Sequence, residues 1–378
     1  MLGKIDSPLN QKLAQVKWGE FKISKLFNIE NTLSFNADKL VNGNEYDYVT
    51  RTSLNQGILK TTGFVNERNL NDSGNWSLGL LQMDFFYRRN PWYAGQFVRK
   101  ISPKFAVTDN TALFFTTILN GLKKDLLSVL VRNVDNIFLN STIQLPINGN
   151  GEIDFGFIDG FVAELEGQRV AELQAYLSVT GLSDYTLTEK EKHVIEHLTE
   201  IPFKTFKITS IFDIKNTGNI LSRDIIENSG STPYLCASRE NNAVSSYITY
   251  NEDSLDKGNC VFIGGKTFVV TYQKNDFFSN DSHNLVLYLK KKDFEQQNIL
   301  LSLVACVDRS LRHKYSWGDS ISNKKIKSDV IMLPVNKNEP NYELMATLIS
   351  AVKKLVIKDV VNYADKKIAL TKEVISKS

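Results

Sequence analysis

Apolar and polar residues follow two rhythms along this chain, and each rhythm occurs twice. Short alternating or aromatic-rich runs such as Phe85-Phe86-Tyr87 and Phe268-Val-Val-Thr-Tyr272 predict β-strands. Clusters of Asn, Gly, Asp and Ser at 69–75 and 275–284 predict the reversals between strands. Helical spacing follows in shorter patches at 110–122 and 295–312, then in two long stretches. In the first, about 154–177, Ile158, Phe161, Val162 and Leu165 continue as Val170, Leu173 and Leu177, with a shift of phase near Gly167. In the second, from about 341 to beyond 368, Leu344, Leu348, Val352, Leu355, Val356, Val360 and Ala364 form a broad stripe. A helix of about 30–35 residues spans ~45–50 Å, more than one small lobe can cover. Such a stripe calls for a second helix, so two antiparallel helices with a lobe at each end are expected. The alternative is that each helix covers its own sheet. Between the halves, Thr188 with Glu191 three residues on predicts a capping box and a short helix.

The chain also repeats itself. Trp18, Phe21, Ile23, Leu26-Phe27 and Ile29 match Phe203, Phe206, Ile208, Ile211-Phe212 and Ile214 at an offset of 185. Tyr48–Ile58 matches Tyr234–Val244 at 186, and Ile143-Gln-Leu145-Pro146 matches Ile331-Met-Leu333-Pro334 at 188. Three landmarks in one order at nearly constant offset indicate a duplicated unit of half the chain, too long a period for a solenoid. The expected fold is α/β (α+β) with pseudo-twofold duplication. Two tandem β-rich domains, 1–152 and 201–340, are separated by long helices at 153–180 and 341–378, with a linker at 181–200. Trp18 and Phe203 are expected to pack under the first strand of each domain.

Composition narrows the class. With 42% hydrophobic residues in 378, the chain can bury real cores. No run of ~18 uncharged apolar residues suggests a membrane span, and residues 1–20 do not read as a signal peptide. Three cysteines, Cys236, Cys260 and Cys306, lack CxxC spacing and fit a reducing cytoplasm. The net charge of +3 hides a distribution. Residues 51–104 carry eight basic and three acidic side chains, 309–327 six and one, and 151–182 one and six. Basic lobes thus alternate with an acidic helical stretch.

These features together resemble the specificity subunits of bacterial restriction-modification systems, of the type I and BcgI-like type IIB kinds. The resemblance rests on the Trp18/Phe21/Leu26-Phe27 entry and its copy, the Tyr48–Ile58 segment, and the Phe86-Tyr87…Asn90-Pro-Trp-Tyr93-Ala-Gly95…Pro103-Lys104 run. The Leu-Pro strands and the 175–188 segment add to it, and it covers essentially the whole chain. It implies a non-catalytic subunit in which two target recognition domains each read half of a split, double-stranded DNA site. It implies that the helices dock methyltransferase subunits, two in number, which bind S-adenosylmethionine while this chain binds no cofactor. A restriction or translocase subunit joins such assemblies. The copies diverge: the second offers only Asn275-Asp-Phe277-Phe278 for the Asn90–Gly95 run, and the first has 126–140 where the second has Tyr315-Ser-Trp317-Gly318 and Lys324-Lys-Ile326-Lys327.

Base recognition needs Arg, Asn, Gln, Ser or Glu at base edges and Lys or Arg on phosphates. The first half offers Arg51, Thr52, Ser53, Asn55 and Gln56 in one loop, then Arg88, Arg89, Arg99 and Lys104. The second offers Ser238, Arg239, Glu240, Asn241 and Asn242, then Lys266, Lys274, Lys324, Lys325 and Lys327. Other readings are a stand-alone two-lobed DNA-binding protein, a scaffold without a DNA role, and an adenine-N6 methyltransferase using Asn90-Pro91-Trp92-Tyr93. The last needs an aromatic to stack on a flipped base and a glycine-rich cofactor turn, and no such turn is visible. His193 and His197 sit four apart, with Glu196 or Glu200 as the local third ligand a metal would need.

Overall fold

The computed structural model describes residues 8–128 and 133–377. One compact unit ends at Glu172 and a second begins at Leu173, so the division falls inside the first long helix, Phe155–Val179. Residues 1–7, and 129–132 of the divergent 126–140 segment, lie outside the described residues. Among the described residues no helix is long and apolar enough to cross a membrane.

The first unit holds an antiparallel sheet in the order Phe27–Asn31, Val98–Pro103, Asn75–Gly79, Asp84–Arg88. A second sheet runs Ile58–Thr62, Tyr46–Val49, Trp92–Ala94, Leu70–Asn71, with one parallel pairing that sets Tyr48 against Tyr93. The second unit repeats both. Its larger sheet is Phe212–Asn216, Leu285–Leu289, Cys260–Gly264, Val269–Gln273, and its smaller one Val244–Ile248, Thr232–Leu235, Phe278–Ser279. The parallel pairing recurs, with Tyr234 against Phe278. The smaller sheet thereby equates Asn275–Phe278 with Asn90–Tyr93, the weak correspondence that the sequence offered.

The two outer landmarks of the repeat turn out to be strand partners. Trp18 pairs with Pro146 and Phe21 with Ile143; Phe203 pairs with Pro334 and Phe206 with Ile331. Strand parity corrects one expectation. Trp18 and Phe203 are 40% and 48% exposed, because residues three apart on a strand face opposite sides. Phe21 and Phe206 take the inward side and pack on the cores.

Each larger sheet is covered by one helix. In the first unit the helix Asp109–Gly121 starts where the Thr108 side chain accepts from Thr111 N–H. It buries Phe115 against Phe27, whose ring meets Trp76 edge-on at 5.7 Å. Each such ring contributes about 2–3 kcal/mol by leaving water. In the second unit the helix Gln297–Leu311 does the same with Leu300, Leu303 and Val307.

Both readings of the long helices hold in part. Ile158 of the first is fully buried in its own lobe's core, and Tyr342 and Met345 of the second, Tyr342–Lys377, lie in the core of the other. Farther along, Leu173 and Leu177 cluster with Ile357, Val361 and Ala364. Thr180 and Leu182 lie by Val352 and Val356, and Glu191 reaches Ser350 and Lys354. Within this unit the contacts advance along one segment as they retreat along the other, which is antiparallel packing. The linker helix, Glu189–Glu196, has the expected capping box, with Thr188 N–H donating to Glu191 at 2.7 Å.

Candidate nucleic-acid interface

The 50–57 loop leaves the strand Tyr46–Val49 and returns as Ile58–Thr62. Thr50 N–H closes it by donating to the Gly57 carbonyl at 2.8 Å, and Gly95 N–H ties it to Val49 at 2.8 Å. Its copy is closed by Cys236 N–H to the Ala243 carbonyl at 2.9 Å and tied by Asn280 N–H to Leu235 at 3.0 Å. Inside, Asn55, Gln56 and Gly57 have φ of 45°, 53° and 80°; Asn241, Asn242 and Ala243 have 47°, 52° and 68°. Left-handed backbone costs a side-chain-bearing residue about 1–2 kcal/mol, least for Asn. Asn55 and Asn241 offset part of this by donating to the Ile58 and Val244 carbonyls.

Arg88 corrects the expected set of DNA contacts. It is buried, not solvent-facing. Its Nε donates to Ser77 Oγ at 2.9 Å, and its Nη2 to Ser77 Oγ at 2.7 Å and to the Gln56 carbonyl at 2.5 Å. Burial pulls the guanidinium down to about 10, against the opposing charge of Asp47, so it stays protonated at neutral pH. In the second lobe the same strand position is Gln273, opposite Cys260 as Arg88 is opposite Asn75. Its Nε2 donates to the Asn242 carbonyl at 2.9 Å. Two different buried side chains thus hold the equivalent carbonyl of the two loops. Sequence alignment of the loops missed this, because the tether comes from another strand.

A hairpin presses against each loop. A Cβ on Gly79 would stand 2.9 Å from Arg51 Cα, and one on Gly264 2.8 Å from Ala237 Cα. Glycine is required there by close approach of two backbones. The same match shows that Arg51 and Arg239 are not equivalent: Arg51 superimposes in register on Ala237, and Arg239 on Ser53.

In the first lobe a cleft of about 680 Å³ is lined by Arg51, Thr52, Ser53, Asn36, Gln82 and Gln96, among others. Arg51 is exposed and lies 5.2 Å from the Phe97 ring centroid. Thr52 Oγ1 accepts from Leu54 N–H at 3.2 Å, and Ser53 Oγ donates to Asp84. Gln56 is exposed at the loop tip. Gln82 and Gln96 are residues that pattern reading missed: each stands alone in sequence and joins the loop only through the fold.

In the second lobe Arg239 is exposed, with no ion-pair partner among the described residues, and lines two clefts with Thr267, Trp317 and Arg312. Ser238 Oγ accepts from Glu240 N–H at 3.1 Å, and Asn242 donates to the Tyr272 carbonyl at 3.0 Å. Glu240 is exposed. Lys266 pairs with Asp281 at 3.0 Å, and Lys325 with Asp319, while Lys324 is exposed on the short helix Asn323–Ile326.

Three first-lobe cations are committed to protein partners. Arg89 pairs with Asp109 at 3.0 Å, Arg99 with both Asp135 oxygens at 3.0 and 3.2 Å, and Lys104 donates to the Ser24 carbonyl at 2.8 Å. Lys104 is a structural brace with its own copy, Lys290 to the Thr209 carbonyl at 2.7 Å.

Asn90–Tyr93 is not a base-flipping loop. Trp92 and Tyr93 are fully buried; Trp92 Nε1 donates to Asn75, and Tyr93 Oη accepts from Val65 and Asn66 N–H. Neither ring can stack on an extruded base. His193 and His197 lie ring against ring at 4.2 Å, and no group of three metal-ligating side chains occurs among the described residues.

Comparison with known proteins bears on what this geometry serves. The sequence model of the type I restriction modification DNA specificity domain matches twice, at 15–175 and 200–374. The chain is 26% identical over 339 residues to the type II restriction enzyme BgcI specificity subunit S.BcgI of Heyndrickxia coagulans, covering 87% of this chain and 93% of that one. It is similar in fold to the crystal structure of a type I restriction-modification system S subunit from M. genitalium. There the TM-score is 0.55 at 11% identity, over 96% of this chain and 95% of that one.

Proposed function

Because the chain belongs to the type I restriction-modification DNA specificity domain family, we propose a specific way in which its two lobes read DNA. The protein is the sequence-recognition subunit of a restriction-modification enzyme, not its catalyst. Each lobe reads one half of a split site through its left-handed loop, 51–56 in the first and 238–242 in the second. One observation carries this reading: the same strained loop, tethered at the same carbonyl, is built in both lobes from different side chains. A rigid backbone with interchangeable side chains is what a specificity element needs.

Arg51 and Arg239 suit guanine O6 and N7, Gln56 suits adenine N6 and N7, and Glu240 suits cytosine N4. Exposed Lys324 serves a phosphate, and with it comes a salt-dependent affinity; Lys266 and Lys325 would have to leave Asp281 and Asp319 to do the same. Arg51 and Arg239 stand at non-equivalent loop positions, which supports two half-sites of different sequence.

The partners are methyltransferase subunits, two per chain, that bind S-adenosylmethionine and act on the DNA this chain selects. Exposed apolar side chains on the long helices, including Val179, Val352 and Val356, support docking there. A nuclease or translocase subunit completes the enzyme. The test is selection of duplexes from a random pool by the reconstituted complex, with and without this chain. Enrichment of one bipartite sequence only when the chain is present is expected. Enrichment of the same sequence by the methyltransferase alone would overturn the reading.

A further inference from the structure

Trp317 is 74% exposed, the most exposed of the four tryptophans. Trp76 and Trp92 are fully buried and Trp18 is partly covered. An exposed indole offers an apolar face and an N–H donor together, which suits an interface. The turn that carries it is anchored, not loose. Tyr315, two residues before, stacks on Phe268 at 5.4 Å and donates to the buried carboxylate of Asp329 at 2.5 Å. Lys314 pairs with the same carboxylate, and Ser316 and Asp319 bridge the turn backbone to backbone.

The ring shares its cleft with the arginine of the 238–242 loop. Trp317 and Ser316 line a cleft of about 420 Å³ together with Arg239, Ala237 and Thr267. Arg239 also lines the neighbouring cleft, where Arg312 is paired with Asp308. The segment 309–327 carries six basic side chains and one acidic. The first lobe repeats the theme with other residues: Leu54 and Leu81, 77% and 58% exposed, line the Arg51 cleft. In each lobe, then, a projecting apolar side chain stands beside the arginine of the reading loop.

We propose that Trp317 is a base-contacting residue of the second half-site, placing its indole against bases next to those read by Arg239. The inference rests on the reading of the 238–242 loop given above. The chemistry that recognises this ring is the π-face of a base or an opened base step, with Arg239 beside it to meet a base edge or phosphate. A protein partner is the competing occupant, and an apolar partner surface would not call for the exposed Arg239 beside the ring.

The experiment uses the full chain with its methyltransferase and the duplex that the complex enriches from a random pool. Trp317→Ala should weaken binding of that duplex about tenfold or more. Trp317→Phe should recover most of the loss. A change at the second half-site should cost less in the alanine variant than in the wild type, while changes at the first half-site cost the same. In a Trp18→Phe background, adding the duplex should quench tryptophan emission, and Trp317→Phe should abolish that quenching. Arg239→Ala is the companion measurement. If it weakens the second half-site but Trp317→Ala binds like the wild type, Trp317 is not a base contact and the loop reading survives. If both variants bind normally, the loop reading fails with it. Quenching by the methyltransferase alone, and none by DNA, would assign the ring to a protein contact.

Discussion

At the residue scale, the two arginines of the reading loops and the buried tether do different work. Arg51→Ala and Arg239→Ala should each cost about 1–3 kcal/mol of binding, at one half-site only. Competition with duplexes altered in one half at a time measures this, and equal losses on unrelated duplexes would make them phosphate contacts. Arg88 is a positioning residue for the loop. Arg88→Gln places the second lobe's tether in the first and should keep most discrimination. Arg88→Met leaves the Gln56 carbonyl without its donor and should lose it, with a stability cost of about 1–3 kcal/mol. If glutamine and methionine behave alike at the first half-site, the tether does not set the loop.

At the scale of elements, the linker helix is locked to the second long helix by one buried carboxylate. Burial pushes Glu191 upward, but donation from Ser350, Lys354 and Thr188 outweighs it and holds the group at about 2. A depressed carboxyl stabilises the fold above its unfolded pKa and loses that contribution as pH falls toward the folded value. The docking should therefore weaken between about pH 4.5 and 2. Glu191→Ala leaves half-buried Lys354 with only the Thr186 carbonyl and should cost about 1–3 kcal/mol at neutral pH. Thermal melts across that acid range, for wild type and variant, should converge as pH drops. A constant difference down to pH 2 would mean that the carboxylate is not what holds the helix. The first strand of each lobe shows why strand parity matters more than aromatic character: Trp18 and Phe203 looked like core and lie on the outward face.

At the scale of the whole molecule, the chain alone should transfer no methyl groups from S-adenosylmethionine to DNA, and its complex with the methyltransferase should. Radiolabel incorporation measures both, and transfer by the purified chain alone would contradict its place as a specificity subunit.

The duplication, the lobes and the long helices were legible from the order of apolar residues, because hydrophobic period and turn chemistry are local properties. The reading loops were legible as polar stretches in register between the copies. What the sequence could not separate was the cations left unpaired from those held by partners within the fold. Arg88, Arg99 and Lys104 carry the same charge as Arg51. Only the fold decides that Arg88 lies beneath a loop, that Arg99 meets Asp135, or that Lys104 caps a turn. The partner in each case lies tens of residues away. Pairing at that separation depends on which strands meet and which face each residue takes, and burial of a charge is set by that packing. By itself, then, the sequence determined the repeat and the kind of molecule. The tertiary structure decided which charged side chains are tied to partners within the fold and which stand free of them.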